Sequence, residues 1–268
     1  MHPVRALITV GLTTLVTCGL LAQTQPPPTS RTRTLLAVFA HPDDETMAGP
    51  LLAHYAHQPG VTVQLAVATN GEKGVTPFAG IPAGDQLAAV RVQETQCAAA
   101  ALGAKPAILL GFPDGGLNQT AVLAELATKL TRTLQDISPD AIVTWGPEGG
   151  YGHPDHRLIS AVVTQIVQAG DTTSNLYYAA LPKSGLRPEL LAELKFPSPF
   201  RPVADELLNV RVPYTREAAA RARTALACHK SQFTAATMEQ LTSLTEQINR
   251  GIAYLRSWNG GAPRKGLF

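Results

Sequence analysis

From residue 34 onward, short apolar runs alternate with longer stretches of helical periodicity, and that rhythm restricts the chain to a mostly parallel sheet covered by helices on both faces. The pattern predicts strands over 34–40, 61–68, 106–110 and 141–145, with helices over 44–57, 85–102, 121–134 and 153–169 between and after them. Beyond Gly170 the rhythm loosens: 175–180 and 206–212 read as later strands, 181–202 as a proline-rich irregular segment, 214–228 and 238–255 as helices. The expected class is α/β, a Rossmann-like three-layer sandwich. At 268 residues the chain has material for one sizeable core, so 34–268 is expected to form a single domain.

The first residues differ in kind. Arg5 precedes an uncharged apolar tract over 6–22, the form of a secretory signal peptide, and a polar, proline-rich linker over 23–33 follows. The expected location is therefore the periplasm, cell envelope or exterior, with no stable membrane span once the signal is removed. An uncleaved N-terminal anchor, or a lipid on Cys18, is the alternative. Cys97 and Cys228 sit in Ala-rich helical stretches and read as two separate buried thiols, with pairing open to an exported chain. A net charge of +2 without a Lys/Arg stripe indicates neither a nucleic-acid footprint nor a polybasic membrane patch and points to a small or neutral molecule as partner.

The chemistry gathers where strands end. His41-Pro42-Asp43-Asp44-Glu45 follows the first strand, and His153-Pro154-Asp155-His156 repeats the His-Pro-Asp order after the fourth. In open parallel sheets, ligands bind outside the carboxyl ends of the strands, where both motifs fall. His41 and Asp44 can fold back toward one point. Pro154 suits the first helical position, and His153 and His156, three apart, face the same side. Imidazoles and a carboxylate around an open position make a catalytic metal site, whose water needs a proton acceptor; Asp43 is so placed, and His153 is placed to give a proton or steady the opposite charge. The reaction class implied is hydrolysis of an amide or ester.

These stretches resemble the LmbE-like (PIG-L) family of zinc-dependent N-acetylglucosaminyl deacetylases. The likeness runs from about Leu35 to Gln232 and includes Thr69-Asn70-Gly71-Glu72, Arg91-Val92-Gln93-Glu94, Gly111-Phe112-Pro113-Asp114-Gly115 and His229-Lys230-Ser231-Gln232. The resemblance implies His41, Asp44 and His156 as ligands of Zn2+, with Fe2+ or another divalent ion as a substitute. It implies Asp43 as general base, His153 as proton donor or electrostatic aid, Tyr151 near the substrate oxyanion, and Arg91 and Asp114 on sugar hydroxyls. The substrate would be an N-acetylated amino sugar or its conjugate; the alternatives are an amidase or esterase on a non-sugar acyl compound and a non-catalytic sugar-binding protein. Glu94, three residues from Arg91, is expected to be its ion-pair partner, and His229 to be a core or capping group or a support behind the ligands.

Overall fold

The computed structural model describes residues 31–186 and 202–268. The expected signal peptide, Cys18, nearly all of the linker and most of the irregular 181–202 segment lie outside the described residues. Thr32–Phe268 forms one contact-dense unit. Its sheet has seven strands: β1 (Arg33–Phe39), β2 (Val61–Thr69), β3 (Ile108–Phe112), β4 (Ala141–Trp145), β5 (Asn175–Ala179), β6 (Val210–Pro213) and β7 (Ile252–Ser257), in the order β3-β2-β1-β4-β5-β7-β6. The first five are parallel; β7 runs antiparallel to both β5 and β6.

Strand β1 lies at the centre because its run Leu35–Phe39 is apolar on both faces, and all five residues are fully buried. Leu35, Ala37 and Phe39 face a layer formed by α1 (Gly49–Ala56), α2 (Asp85–Leu102) and α5 (Arg216–Leu226), among them Leu52, Leu102 and Ala225. Leu36 and Val38 face α3 (Thr120–Ile137) and α4 (Pro154–Ala169), among them Leu130 and Val163. Each such leucine contributes about 1.5–3 kcal/mol by leaving water. A sixth helix, α6 (Ala235–Asn249), buries only Ile248 and Asn249. Among the described residues no helix is long and apolar enough to cross a membrane.

Three expectations need correction. The helix foreseen over 44–57 is split into a 3-10 turn, Asp44–Ala48, and α1, because Pro50 sits in the first turn of a helix that begins at Gly49. The third strand runs through Gly111 to Phe112 instead of stopping at Leu110, since Gly111 takes a positive φ of 73° beside a register shift against β2. The helix foreseen over 238–255 ends at Asn249: Arg250 and Gly251 turn left-handed, at φ 48° and 82°, and the chain returns as β7.

The order reverses beside β1, which pairs β2 on one side and β4 on the other. β1 and β4 pair only from Leu35–Ala141 to Ala37–Val143, two residues short of both strand ends. The strands part there, and the crevice between them is the switch point at which ligands of such sheets bind.

Candidate active site

Both His-Pro-Asp segments open into this crevice. Asp44 turns its carboxylate back over the end of β1, where Oδ2 accepts the backbone N–H groups of Ala40 and His41 at 3.0 and 2.9 Å and the Trp145 indole N–H at 3.2 Å. With Oδ2 so held, Oδ1 faces His156 Nε2 at 3.1 Å. Across from them, His41 Nδ1 lies 3.2 Å from His156 Nε2 and 3.7 Å from Asp44 Oδ2. Ligands of a tetrahedral ion with bonds of 2.0–2.1 Å stand about 3.3 Å apart. The His41–His156 and His156–Asp44 Oδ1 separations, 3.2 and 3.1 Å, fit such an ion, while His41 lies 3.7 Å from the other Asp44 oxygen. His153 also brings a ring nitrogen within 4.8 Å of those of His41 and His156.

The groups behind these side chains orient them, as outer-shell partners of metal sites do. His41 turns Nε2 toward Asp114 Oδ1 and Asp155 Oδ2, each at 3.2 Å. Asp155 is itself held by the Gly115 N–H at 2.8 Å, and Asp114 by the Lys73 N–H at 3.0 Å. His156 places Nδ1 3.2 Å from the Gly149 carbonyl, and its ring stacks on Trp145, nearly parallel at 4° with centroids 4.6 Å apart. Gly150, at φ 61°, is needed there, because a Cβ would meet the Trp145 ring at 2.6 Å.

His41 and Asp44 each favour the other's charged form. Burial works against a proton on His41, but the hydrogen bonds to Asp114 and Asp155 and the charge of Asp44 outweigh it and raise the imidazole to about 10. Burial alone would raise Asp44, yet the adjacent His156 and His41 hold it well below the usual carboxylate range. Three carboxylates around one imidazole thus favour a positive charge on His41 itself.

Asp43 stands beside this cluster in a left-handed conformation, φ 86°, unusual for a residue with a side chain. Its N–H donates to Glu45 Oε2 at 3.1 Å, its carbonyl accepts from Thr46 Oγ1 at 2.7 Å, and its Oδ2 takes Arg91 Nη2 at 2.9 Å. Burial pushes the Asp43 carboxyl up to about 6; Arg91 opposes the rise and Asp44 adds to it. Arg91 is buried; its Nη2 also donates to the Pro42 carbonyl at 2.6 Å and its Nη1 to the Gly71 carbonyl at 2.8 Å, while its Nε has no hydrogen-bond partner among the described residues. Arg91 and Asp114, expected on sugar hydroxyls, are thus both engaged by protein groups. Glu94 does not pair with Arg91, as expected of it, but accepts the Ser231 N–H and hydroxyl at 2.7 and 2.6 Å.

His153 caps α4 by accepting the Asp155 N–H on Nδ1 at 3.2 Å, which assigns its proton to Nε2. Burial, with the charges of His41 and His156, lowers its pKa. Tyr151 packs edge-on against His156, and burial with the charges of Asp44 and Asp43 pushes its phenol well above the ordinary range, so it remains a donor. Farther back, His229 Nε2 lies 2.6 Å from Glu45 Oε1, tying α5 to the Asp43 turn. Asp155, Trp145 and Glu45 are the residues that motif spacing alone passes over; the available signal was that Asp155 and Glu45 stand inside the two segments and Trp145 ends the strand before the second.

The PIG-L family, described as GlcNAc-PI de-N-acetylase, matches residues 36–167. A 1D-myo-inositol 2-acetamido-2-deoxy-alpha-D-glucopyranoside deacetylase from Rhodococcus erythropolis is 34% identical over 264 residues, covering 84% of this chain and 89% of that relative. Among solved structures, an N,N'-diacetylchitobiose deacetylase from Pyrococcus horikoshii aligns with a TM-score of 0.60 at 22% identity, over 84% of this chain and 82% of its own. A 4-carboxy-2-hydroxymuconate hydratase from Pseudomonas putida aligns at 0.61 with 16% identity, over 87% and 99%, so the fold alone does not fix the reaction. The family match spans both His-Pro-Asp segments, and with the Rhodococcus relative's identity over most of both chains, the chain belongs to the PIG-L family.

Proposed function

We propose that this protein is an exported, zinc-dependent hydrolase that removes the acetyl group from the nitrogen of an N-acetylglucosamine-type amino sugar or its conjugate. The observation that carries the reading is the convergence of His41, Asp44 and His156 at ligand spacing with Asp43 beside them. The Rhodococcus deacetylase supports the substrate class. A divalent ion held by His41, Asp44 and His156 would supply Lewis acidity toward the acyl oxygen and a water acidic enough to react near neutral pH.

The remaining work belongs to this chain's own side chains. Asp43 accepts the water's proton as the water oxygen bonds to the acyl carbon, then returns it to the amide nitrogen as the C–N bond breaks and acetate leaves. Arg91 keeps Asp43 turned toward the site. The His153 Nε2–H and the Tyr151 hydroxyl donate toward the oxygen on which negative charge develops. Export is supported by the apolar tract after Arg5 and by a bridge between Cys97 and Cys228.

Zinc-loaded protein offered N-acetylglucosamine derivatives is expected to release acetate and leave a free amine. Absence of acetate release from every amino-sugar amide tried, with folded, zinc-replete protein, overturns the reading. A Trp145→Phe variant keeps an aromatic ring for His156 but loses the indole N–H on Asp44. It is expected to bind zinc about 10–100-fold more weakly, as read by competition with a chromophoric chelator; unchanged affinity would show that Asp44 does not need its third donor.

A further inference from the structure

Behind the donor cluster, Glu45 and His229 are fully buried, and the proposed chemistry uses neither. Burying a carboxylate is costly unless it is paired and hydrogen-bonded, and Glu45 is held on both oxygens. Its Oε1 lies 2.6 Å from His229 Nε2, and its Oε2 accepts the Asp43 N–H at 3.1 Å. The imidazole has no second use: among the described residues Nδ1 finds no hydrogen-bond partner. Asp43 needs such a restraint, because its φ of 86° is a strained conformation that persists only where the surroundings fix it. It heads the 3-10 turn without capping it, so its carboxylate stays free for Arg91 and the site while Glu45 holds its backbone. The segment after α5 is anchored in turn. Ser231 gives its N–H and hydroxyl to Glu94, its carbonyl accepts the Thr76 hydroxyl at 2.6 Å, and Gln232 Nε2 donates to the Gly74 carbonyl at 2.9 Å. Gly74 also closes on Arg91, since a Cβ there would collide with Nη1. One stretch of chain thus backs both restraints on Asp43, Glu45 at its N–H and Arg91 at its carboxylate.

We infer that His229 is a positioning residue for the proposed base: through Glu45 it holds the left-handed backbone of Asp43 and so fixes where that carboxylate points. The inference rests on the proposed role of Asp43 and adds the residue that aims it. His229 is not among the converging donors, so its effect is expected on kcat and not on substrate binding.

Two substitutions separate aiming from filling space. Gln carries an amide N–H close to where His229 Nε2 stands and can donate to Glu45, whereas Asn carries one near the partnerless Nδ1 and falls short of Glu45. In the zinc-loaded protein His229→Asn is expected to lower kcat for an N-acetylglucosamine derivative by about 10²-fold, the cost of misplacing a catalytic group by about 1 Å. KM should stay nearly unchanged, and His229→Gln should recover most of the loss. Equal kcat in the two variants, or a change confined to KM, overturns the inference and leaves the deacetylase reading intact. Independently of turnover, amide hydrogen exchange followed by NMR should be slow at the Asp43 N–H in the parent and in His229→Gln. In His229→Asn it should be about tenfold faster, the factor that one lost hydrogen bond brings, while the amides of β1 keep their protection. That pattern in a protein that hydrolyses no amino-sugar amide upholds the restraint and overturns the chemistry instead. The parent alone decides the matter should a variant fail to fold: an Asp43 N–H in fast exchange, or a His229 proton on Nδ1 with Nε2 bare, overturns the inference, and a slow Asp43 N–H with a proton on Nε2 supports it.

Discussion

Replacing Asp43 by Asn is expected to lower kcat for amide hydrolysis by about 10²–10⁴-fold, the loss typical of removing a positioned general base, while the fold remains. The substitution is chosen for its geometry. Asn tolerates the left-handed backbone that Asp43 adopts at φ 86°, and its Oδ1 can still accept from Arg91 Nη2, now 2.9 Å from Asp43 Oδ2. Only basicity is removed. In the parent, burial lifts this carboxyl to about 6, against the pull of Arg91. As the proposed base, Asp43 works when ionised, so activity should fall as pH drops through an acid limb; a bound dication would favour the ionised form further, placing that limb at or below about 6. Full activity in the Asn variant, with unfolding unchanged, would remove Asp43 from the chemistry. An acid limb above 7 would assign the titration to another group.

What the sequence could and could not disclose divides along physical lines. Strands β1, β2 and β4 were legible as short continuous apolar runs, with Leu35–Phe39 buried on both faces as a central parallel strand must be, and helices α2 and α4 because their buried residues recur at helical spacing. The position of His41, Asp44 and His156 at strand ends followed from that topology. The missed strand β7 had no such signal: Ile252-Ala253-Tyr254-Leu255 continues the apolar content of α6, and the break lies in the left-handed pair Arg250-Gly251. Partners distant in sequence were equally hidden. Arg91 reaches Asp43 across 48 positions, and Trp145 reaches Asp44 across 101, distances that only the docking of α2 and the parting of β1 from β4 bring to hydrogen-bond range. Asp155 stands in the first turn of α4, and nothing in its local sequence shows that its side chain turns to His41 and the Gly115 N–H.

The bridge between Cys97 and Cys228 corrects the reading of two separate thiols, and it carries the second large effect expected of this chain. The two cysteines are 131 positions apart, but α2 and α5 pack side by side in one helical layer and bring their Cα atoms to 5.8 Å. Closing so long a loop restricts the unfolded chain, and opening it by a Cys97→Ser, Cys228→Ser double substitution is expected to cost about 3–5 kcal/mol of stability. The loss should appear as a lower denaturation midpoint with full urea curves for both proteins. The consequence reaches the site, because His229 follows Cys228 directly and holds Glu45, whose other oxygen takes the Asp43 N–H. Freed at this end, α5 no longer ties the Asp43 turn as firmly, so the double variant should lose kcat before it loses global structure as urea is raised. A loss below about 1 kcal/mol would show that helix packing alone sets the geometry, and coincident loss of activity and structure would separate the bridge from the turn.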